Sequence, residues 1–139
     1  MLKQTGCILL LFFTILLSLH AAEGYTPQSG DKELDSLLVE MNIKNKNKQK
    51  QFIQLVADEF QVPVEKVAEL FTHYEFTVAD VLMTLSIADA SGQPVNNVSR
   101  AYFENRELGW RYVLQQLNIP QRSAGFKQVK KDARGEFLH

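Results

Sequence analysis

Apolar positions along the chain recur twice in the same order. Residues 62–88 carry apolar side chains at helical spacing, and residues 93–119 repeat the pattern with a single inserted residue. The matching positions are Pro63, Val64, Val67, Phe71, Phe76, Val81, Leu82, Leu85 and Ile87, followed by Pro94, Val95, Val98, Tyr102, Leu108, Val113, Leu114, Leu117 and Ile119. Each block predicts two helices joined by a turn. Duplicated units of this kind bury their apolar faces against each other.

Two further helices are predicted before the repeated blocks. Asp31 is an N-cap candidate, and an apolar stripe follows at i, i+3, i+4 and i+7. That stripe consists of Leu34, Leu37, Leu38 and Met41. A second helix carries Phe52, Ile53, Val56 and Phe60, and we expect it to begin near Asn47 or Lys48. The lysines at its start are unfavourable for the helix dipole and indicate a late beginning.

The fourth predicted helix is apolar on two sides. Thr77 and Asp80 have the spacing of a capping box at its start. Val81 and its neighbours form one stripe, whereas Met83 and Ile87 fall on the opposite side of the helix. Such a helix lies at the centre of a bundle or is half-covered by a partner, and we expect a central position.

The segments outside these helices are predicted to lack regular structure. Residues 23–30 have the composition of a linker, with Pro, Ser and Gly. Residues 120–139 are polar and basic, which predicts a flexible tail. No alternating pattern predicts a β-strand. The chain is therefore predicted to be all-α, with one small bundle of about six short helices over residues 31–119.

The N-terminus has the features of an export signal. Lys3 precedes an apolar run over residues 8–19, and small residues follow at Ala21, Ala22 and Gly24. This order is typical of a secretory signal peptide over residues 1–22, although the run could serve as a membrane anchor if it is not cleaved. Removing it also removes Cys7, and the short, lightly charged leader is typical of bacteria. We expect a periplasmic protein of a Gram-negative bacterium.

Charge argues against a nucleic-acid partner. The chain has 15 basic and 16 acidic residues, so the mature protein is close to neutral. The spacing of residues 106–117 resembles that of a DNA-binding helix-turn-helix. Its outward face, however, has only Arg111 as a cation, whereas a DNA-binding helix usually has several. Export would also separate the protein from the genome. The lysines of residues 44–50 and the basic tail are interpreted as solvated surface. Weak contact of these residues with anionic lipid is the alternative.

Residues for catalysis or metal binding are sparse in the sequence. Metal sites need clustered His, Cys or carboxylates, and His73 is the one internal histidine after the leader. Glu69 lies one helical turn before it and could orient the imidazole. A lone pair of this kind is more often a surface hydrogen bond, and no nucleophile motif or phosphate-binding loop is present. We expect neither enzymatic activity nor a cofactor.

Recognition is the remaining class of function. On the last two predicted helices, outward positions are occupied by Phe103, Arg111, Tyr112 and Gln115, and aromatic residues beside arginine are frequent anchors of protein contacts. Packing of Tyr112 on the tail or on a neighbouring helix is the structural alternative. Met83 and Ile87 complete the set of candidate binding residues, because a two-sided helix could border a ligand cavity.

The repeated Pro-Val-x-x-Val units resemble a group of small exported bacterial proteins of unassigned function. Gly109-Trp110 and Leu114-x-x-Leu117-x-Ile119 contribute to this resemblance, which covers residues 62–119. It implies a periplasmic helical domain and supplies no active-site residues. Arg111 and Tyr112 depart from the small residues expected after the tryptophan.

These observations lead to one hypothesis of function and one alternative. The hypothesis is an exported, non-enzymatic helical module that binds another envelope protein through its last two helices or its basic tail. The alternative is a carrier that holds a small apolar ligand in a cavity between helices.

Overall fold

The computed structural model describes residues 24–139, so the predicted signal peptide lies outside the described residues. The described chain is all-helical, as predicted, and forms a compact bundle. Its helices are α1 (Lys32–Lys44), α2 (Gln49–Phe60), α3 (Val64–Thr72), α4 (Val78–Ser91), α5 (Val95–Glu104), α6 (Gly109–Gln116) and α7 (Ala124–Ala133). Two 3-10 turns lie at Arg106–Leu108 and Glu136–Leu138. No helix of residues 24–139 is long and apolar enough to cross a membrane.

The N-cap residues predicted for α1 and α4 lie at the starts of these helices. Asp31 accepts a hydrogen bond from the Leu34 backbone N–H at 2.8 Å, as an N-cap aspartate does. Thr77 and Asp80 form the reciprocal capping box of α4. Pro63 and Pro94 directly precede α3 and α5, where their fixed φ suits entry into a helix. The two repeated sequence blocks correspond to the helix pairs α3–α4 and α5–α6.

Helix α4 is the centre of the bundle. Every residue from Val78 to Ala88 is buried, on all sides of the helix. Helices α1, α2, α3, α5 and α7 all contact it. The prediction of a central helix is confirmed, and central packing accounts for its apolar character on two faces.

The prediction of a flexible basic tail is wrong. Ser123 caps α7 by accepting from the Phe126 N–H at 3.1 Å, and α7 packs along α4. Its inward face is formed by the buried residues Phe126, Val129, Asp132 and Ala133. Ser86 of α4 donates to Asp132 at 2.6 Å, which satisfies that buried carboxylate. The bundle therefore has seven α-helices in its described part and extends well beyond residue 119.

Ion pairs join α7 to the start of α1. The Lys130 ammonium lies 3.1 Å from the Asp31 carboxylate and 2.7 Å from that of Glu33. Hydrogen bonding and charge from Lys130 lower the pKa of Glu33. Partial burial opposes a low pKa at Asp31, but hydrogen bonds from Leu34 and Lys130 still bring it below its usual value. Some basic residues of the tail thus form ion pairs within the folded domain.

Candidate functional site

A continuous series of aromatic side chains runs from the surface into the core between the two helix pairs. Phe103 packs edge-on against Tyr74, with ring centroids 5.3 Å apart, and Tyr74 stacks on Phe76 at 5.2 Å. Phe76 contacts Tyr102 at 5.4 Å, and Tyr102 stacks on Trp110 at 3.7 Å with ring planes 6° apart. The first ring of this series is half exposed and the last is fully buried. The series gives the exposed end a rigid support.

Asp80 terminates this aromatic series inside the protein. Its Oδ1 accepts hydrogen bonds from the Tyr25 hydroxyl at 2.7 Å and from the Trp110 indole N–H at 3.1 Å. Its Oδ2 accepts from the Thr77 backbone N–H at 3.2 Å. A buried carboxylate needs such donors, because removal from water is costly without them. Asp80 thereby joins α4, α6 and the N-terminal segment.

That N-terminal segment, residues 24–30, supplies the cap that α6 lacks. The N–H of Trp110 donates to the Pro27 carbonyl at 3.0 Å, and the N–H of Arg111 donates to the Gln28 carbonyl at 2.8 Å. Helix starts leave such N–H groups without intrahelical partners, and α6 has no side-chain cap. The prediction of residues 23–30 as a linker is therefore wrong for the described residues of that range, because their backbone is a structural part of the bundle.

Gly109 allows the N-terminal segment to approach α6. A Cβ added at Gly109 would lie 2.4 Å from the Cβ and 2.9 Å from the carbonyl oxygen of Gln28. The Gly109 φ of 69° and ψ of −175° also lie in a region that is essentially limited to glycine. Both the contact and the backbone conformation require glycine at this position.

Two tyrosine hydroxyls share the environment of Asp80. Burial, followed by the negative charge of Asp80, raises the pKa of Tyr25 far above its usual value. The same two causes raise the pKa of Tyr102. Both hydroxyls therefore stay protonated across the physiological pH range, and that of Tyr25 donates to the buried Asp80 carboxylate. This arrangement ties α4, α6 and the N-terminal segment together.

At the surface, the aromatic series ends in what we call the Phe103 patch, consisting of Tyr74, Phe103, Arg106 and Leu108. Phe103 and Leu108 are 48% and 50% exposed. The Arg106 guanidinium lies 5.3 Å from the ring centroids of both Phe76 and Phe103, and it donates to the Tyr74 carbonyl. The arginine is therefore fixed by stacking, and the apolar side chains beside it remain open to solvent.

Acidic residues adjoin each apolar member of the Phe103 patch in sequence. Glu75 follows Tyr74, Glu104 follows Phe103, and Glu107 precedes Leu108. All three glutamates are exposed. None of them forms an ion pair with another residue of the range 24–139. Three unpaired glutamates therefore adjoin the patch in sequence, and its one arginine is already engaged with aromatic rings.

The predicted binding residues separate into three environments. Arg111 and Gln115 are exposed and line an open groove of about 410 Å³ with residues 29–30 and 119–121. Tyr112 is half-buried and packs on the core, which is the structural alternative given for it. Phe103 belongs to the patch described above and contacts Tyr74. The sequence prediction thus grouped residues that the fold places in different contacts.

Met83 and Ile87 are not surface residues. Both are 0% exposed and belong to the central core cluster. Their place among candidate binding-surface residues is wrong, because α4 is covered by its neighbours on all sides. The largest groove that we describe has a volume of about 590 Å³ and lies elsewhere, between residues 25–28 and the side of α1 that carries Val39 and Ile43.

The His73–Glu69 pair is not assembled as a site. The Glu69 carboxylate accepts from the Lys66 ammonium at 3.1 Å, and the exposed His73 ring packs edge-on against Tyr74. Among residues 24–139, no three His, Cys, Asp or Glu side chains are grouped so that they could hold a metal ion. The Glu69 carboxylate is thus engaged with Lys66, and the His73 ring with Tyr74.

Tyr25, Asp80 and Arg106 are the important residues that sequence reasoning missed. Asp80 was recognised only as a capping residue, and nothing local indicates its bonds to Trp110 and Tyr25 across 30 and 55 residues. Arg106 had a usable signal, because it lies in a turn between the apolar residues Phe103 and Leu108. An arginine there is a candidate for stacking on exposed aromatic rings.

Comparison of the chain with models of protein families, with curated proteins and with solved structures gives no match. The resemblance to small exported bacterial proteins stays a prediction from the repeated motifs.

Proposed function

We propose that this chain is an exported, non-enzymatic interaction module that binds another envelope protein through the Phe103 patch. The half-exposed side chains of Phe103 and Leu108 beside the stacked Arg106 carry this proposal. Aromatic residues and arginine dominate the binding energy of protein interfaces, and anchors held rigid before binding lose little entropy. The export signal predicted from residues 1–22 supports an envelope location.

The packing behind the patch supports its use as a preformed contact surface. Tyr74 is half-buried between the exposed Phe103 ring and the buried Phe76 ring. The aromatic series continues to Trp110 and its bond to Asp80. A partner would therefore meet a Phe103 ring and an Arg106 guanidinium that are already packed, and rigid docking requires little rearrangement.

The structure removes the observation that supported the carrier alternative. It depended on a cavity beside Met83 and Ile87, and both residues are packed inside the bundle. The groove beside α1 is open and lies away from that helix face, so no observation favours enclosure of a small ligand. We therefore retain protein binding as the proposed function.

Affinity capture from envelope extracts tests this proposal. The mature protein, the Phe103→Asp variant and the Ile43→Asp variant serve as baits, the last as a control at an exposed apolar residue outside the patch. We expect a partner to be retained by the mature protein and by Ile43→Asp and to be lost with Phe103→Asp. Capture that is empty for all three baits, while a small molecule co-purifies with the protein, would overturn the proposal. Equal retention by Phe103→Asp would exclude this patch.

A further inference from the structure

A second exposed segment complements the Phe103 patch in both charge and apolarity. We call residues 43–50 the lysine segment; it spans the end of α1 and the start of α2. Ile43 is 71% exposed, more than any other large apolar side chain of residues 24–139. Lys46, Lys48 and Lys50 are also exposed, and they form no ion pair with any residue in that range. The segment is an apolar residue followed by three unpaired cations.

The two surfaces have matching composition with opposite charge. The patch offers Phe103 and Leu108 with three unpaired glutamates, and the lysine segment offers Ile43 with three unpaired lysines. Together these two surfaces contain all the exposed large apolar side chains of the described chain, which are Ile43, Phe103 and Leu108. Complementary charge steers association and fixes its register, whereas apolar anchors supply most of the affinity.

We propose that the Phe103 patch of one copy binds the lysine segment of a second copy of this chain. The inference rests on the proposed function, since it uses the same patch. It adds a way in which the access of an envelope partner to that patch is regulated. A second copy covers the patch until an envelope partner displaces it. Because the contact joins two different surfaces, it can close as a symmetric pair that uses both contacts or extend from copy to copy.

Paired variants test the contact in purified protein. Ile43→Asp leaves the patch intact, and Phe103→Asp leaves the lysine segment intact. We expect the unaltered protein to self-associate in sedimentation velocity, and each variant alone to associate at least about tenfold more weakly, as for loss of an interface anchor. An equimolar mixture should associate again, because one intact patch then meets one intact segment. Far-UV circular dichroism verifies that both variants are folded.

Charge reversal gives a second test that leaves every apolar residue in place. One variant replaces the three lysines at 46, 48 and 50 with Glu, and the other replaces the three glutamates at 75, 104 and 107 with Lys. We expect each variant to be monomeric alone, since like charges then face each other, and the mixture to restore both contacts. Self-association of the unaltered protein should weaken when the salt concentration rises from about 0.05 M to about 0.5 M.

Failure of this inference can be told apart from failure of the proposed function. Monomeric unaltered protein at all concentrations, or mixtures that stay monomeric, would overturn the second copy as occupant. Capture of an envelope partner that depends on Phe103 could still persist in that case. Conversely, restored association in the mixtures together with Phe103-independent capture would leave the self-contact standing and refute the patch as the partner site.

Discussion

Replacing Gly109 with Ala should detach the N-terminal segment from α6. The new Cβ would lie 2.4 Å from the Gln28 Cβ, and neither atom can rotate away because both are fixed by the backbone. Relief requires residues 27–28 to move. Such movement breaks the hydrogen bonds from the Trp110 and Arg111 N–H groups to the Pro27 and Gln28 carbonyls.

The expected loss of stability follows from these contacts. Each backbone hydrogen bond contributes about 0.5–1.5 kcal/mol net, and a non-glycine residue at this φ and ψ costs about 1–3 kcal/mol. We therefore expect Gly109→Ala, which breaks two such bonds, to lower the free energy of unfolding by about 2–6 kcal/mol. That is a large part of the total stability of a small domain, which is about 5–15 kcal/mol.

Gly92→Ala is the matched control for this substitution. Gly92 has the same φ of 69°, but a Cβ there would meet nothing within 4 Å. Only the left-handed conformation then opposes the alanine, at a cost of about 1–2 kcal/mol. Urea unfolding, followed by the fluorescence of the single tryptophan, Trp110, measures the free energy of unfolding of both variants. Equal losses for the two variants would refute the role of the N-terminal segment.

Three further predictions follow from the core and the ion pairs. Phe126→Ala should lower the free energy of unfolding by about 3–5 kcal/mol in urea titrations, because a fully buried ring is removed, whereas a loss near zero would mean that α7 is not part of the fold. The pKa values of Tyr25 and Tyr102 are raised in the folded protein, so stability should hold below pH about 10 and fall above it. Tyr25→Phe should make that alkaline loss shallower, and an unchanged slope contradicts the assignment. The pKa of Asp31 is lowered beside Lys130, so its contribution is present above pH about 4 and is lost as the pH falls further. Asp31→Asn should flatten this acid limb of the stability curve, and a limb as steep as before would contradict it.

The parts of the fold that follow local rules were predictable from the sequence. Asp31 and the Thr77–Asp80 pair begin helices where their side chains can cap free N–H groups, and each lies at the predicted position. The central place of α4 followed from apolar residues on two of its faces. These signals depend on spacing within one helix, and a single sequence contains that information.

The mistaken predictions concern interactions for which the spacing of apolar residues in the sequence gives only a weak signal. Helix α7 has only Phe126, Val129 and Ala133 as apolar inward residues among many charges, so its periodicity is faint. Its buried Asp132 accepts hydrogen bonds from Gln128 within α7 and from Ser86, which lies 46 residues away. The N-terminal segment is held by the Tyr25 side chain and by its backbone carbonyls, which every residue carries, so no sequence pattern marks the use of those carbonyls.

The candidate surface was predicted in part. Phe103 was identified from its position on the helical wheel, but its partners Tyr74 and Arg106 come from two different turns. Met83 and Ile87 were assigned to a binding surface because a helix with two apolar faces can be either central or partnered, and sequence alone does not separate these cases. The long-range packing of α7 and α5 onto α4 decides that question.

Site-specific photo-crosslinking in living cells tests the proposed interaction most directly. A photoreactive amino acid at position 108 lies in the Phe103 patch, and one at the exposed Asn97 near the other end of α5 serves as the control. We expect discrete crosslinks from position 108 to an envelope protein or to a second copy, their loss with Phe103→Asp, and none from position 97. Crosslinks of equal yield at both positions, or crosslinks at position 108 that survive Phe103→Asp, would contradict it.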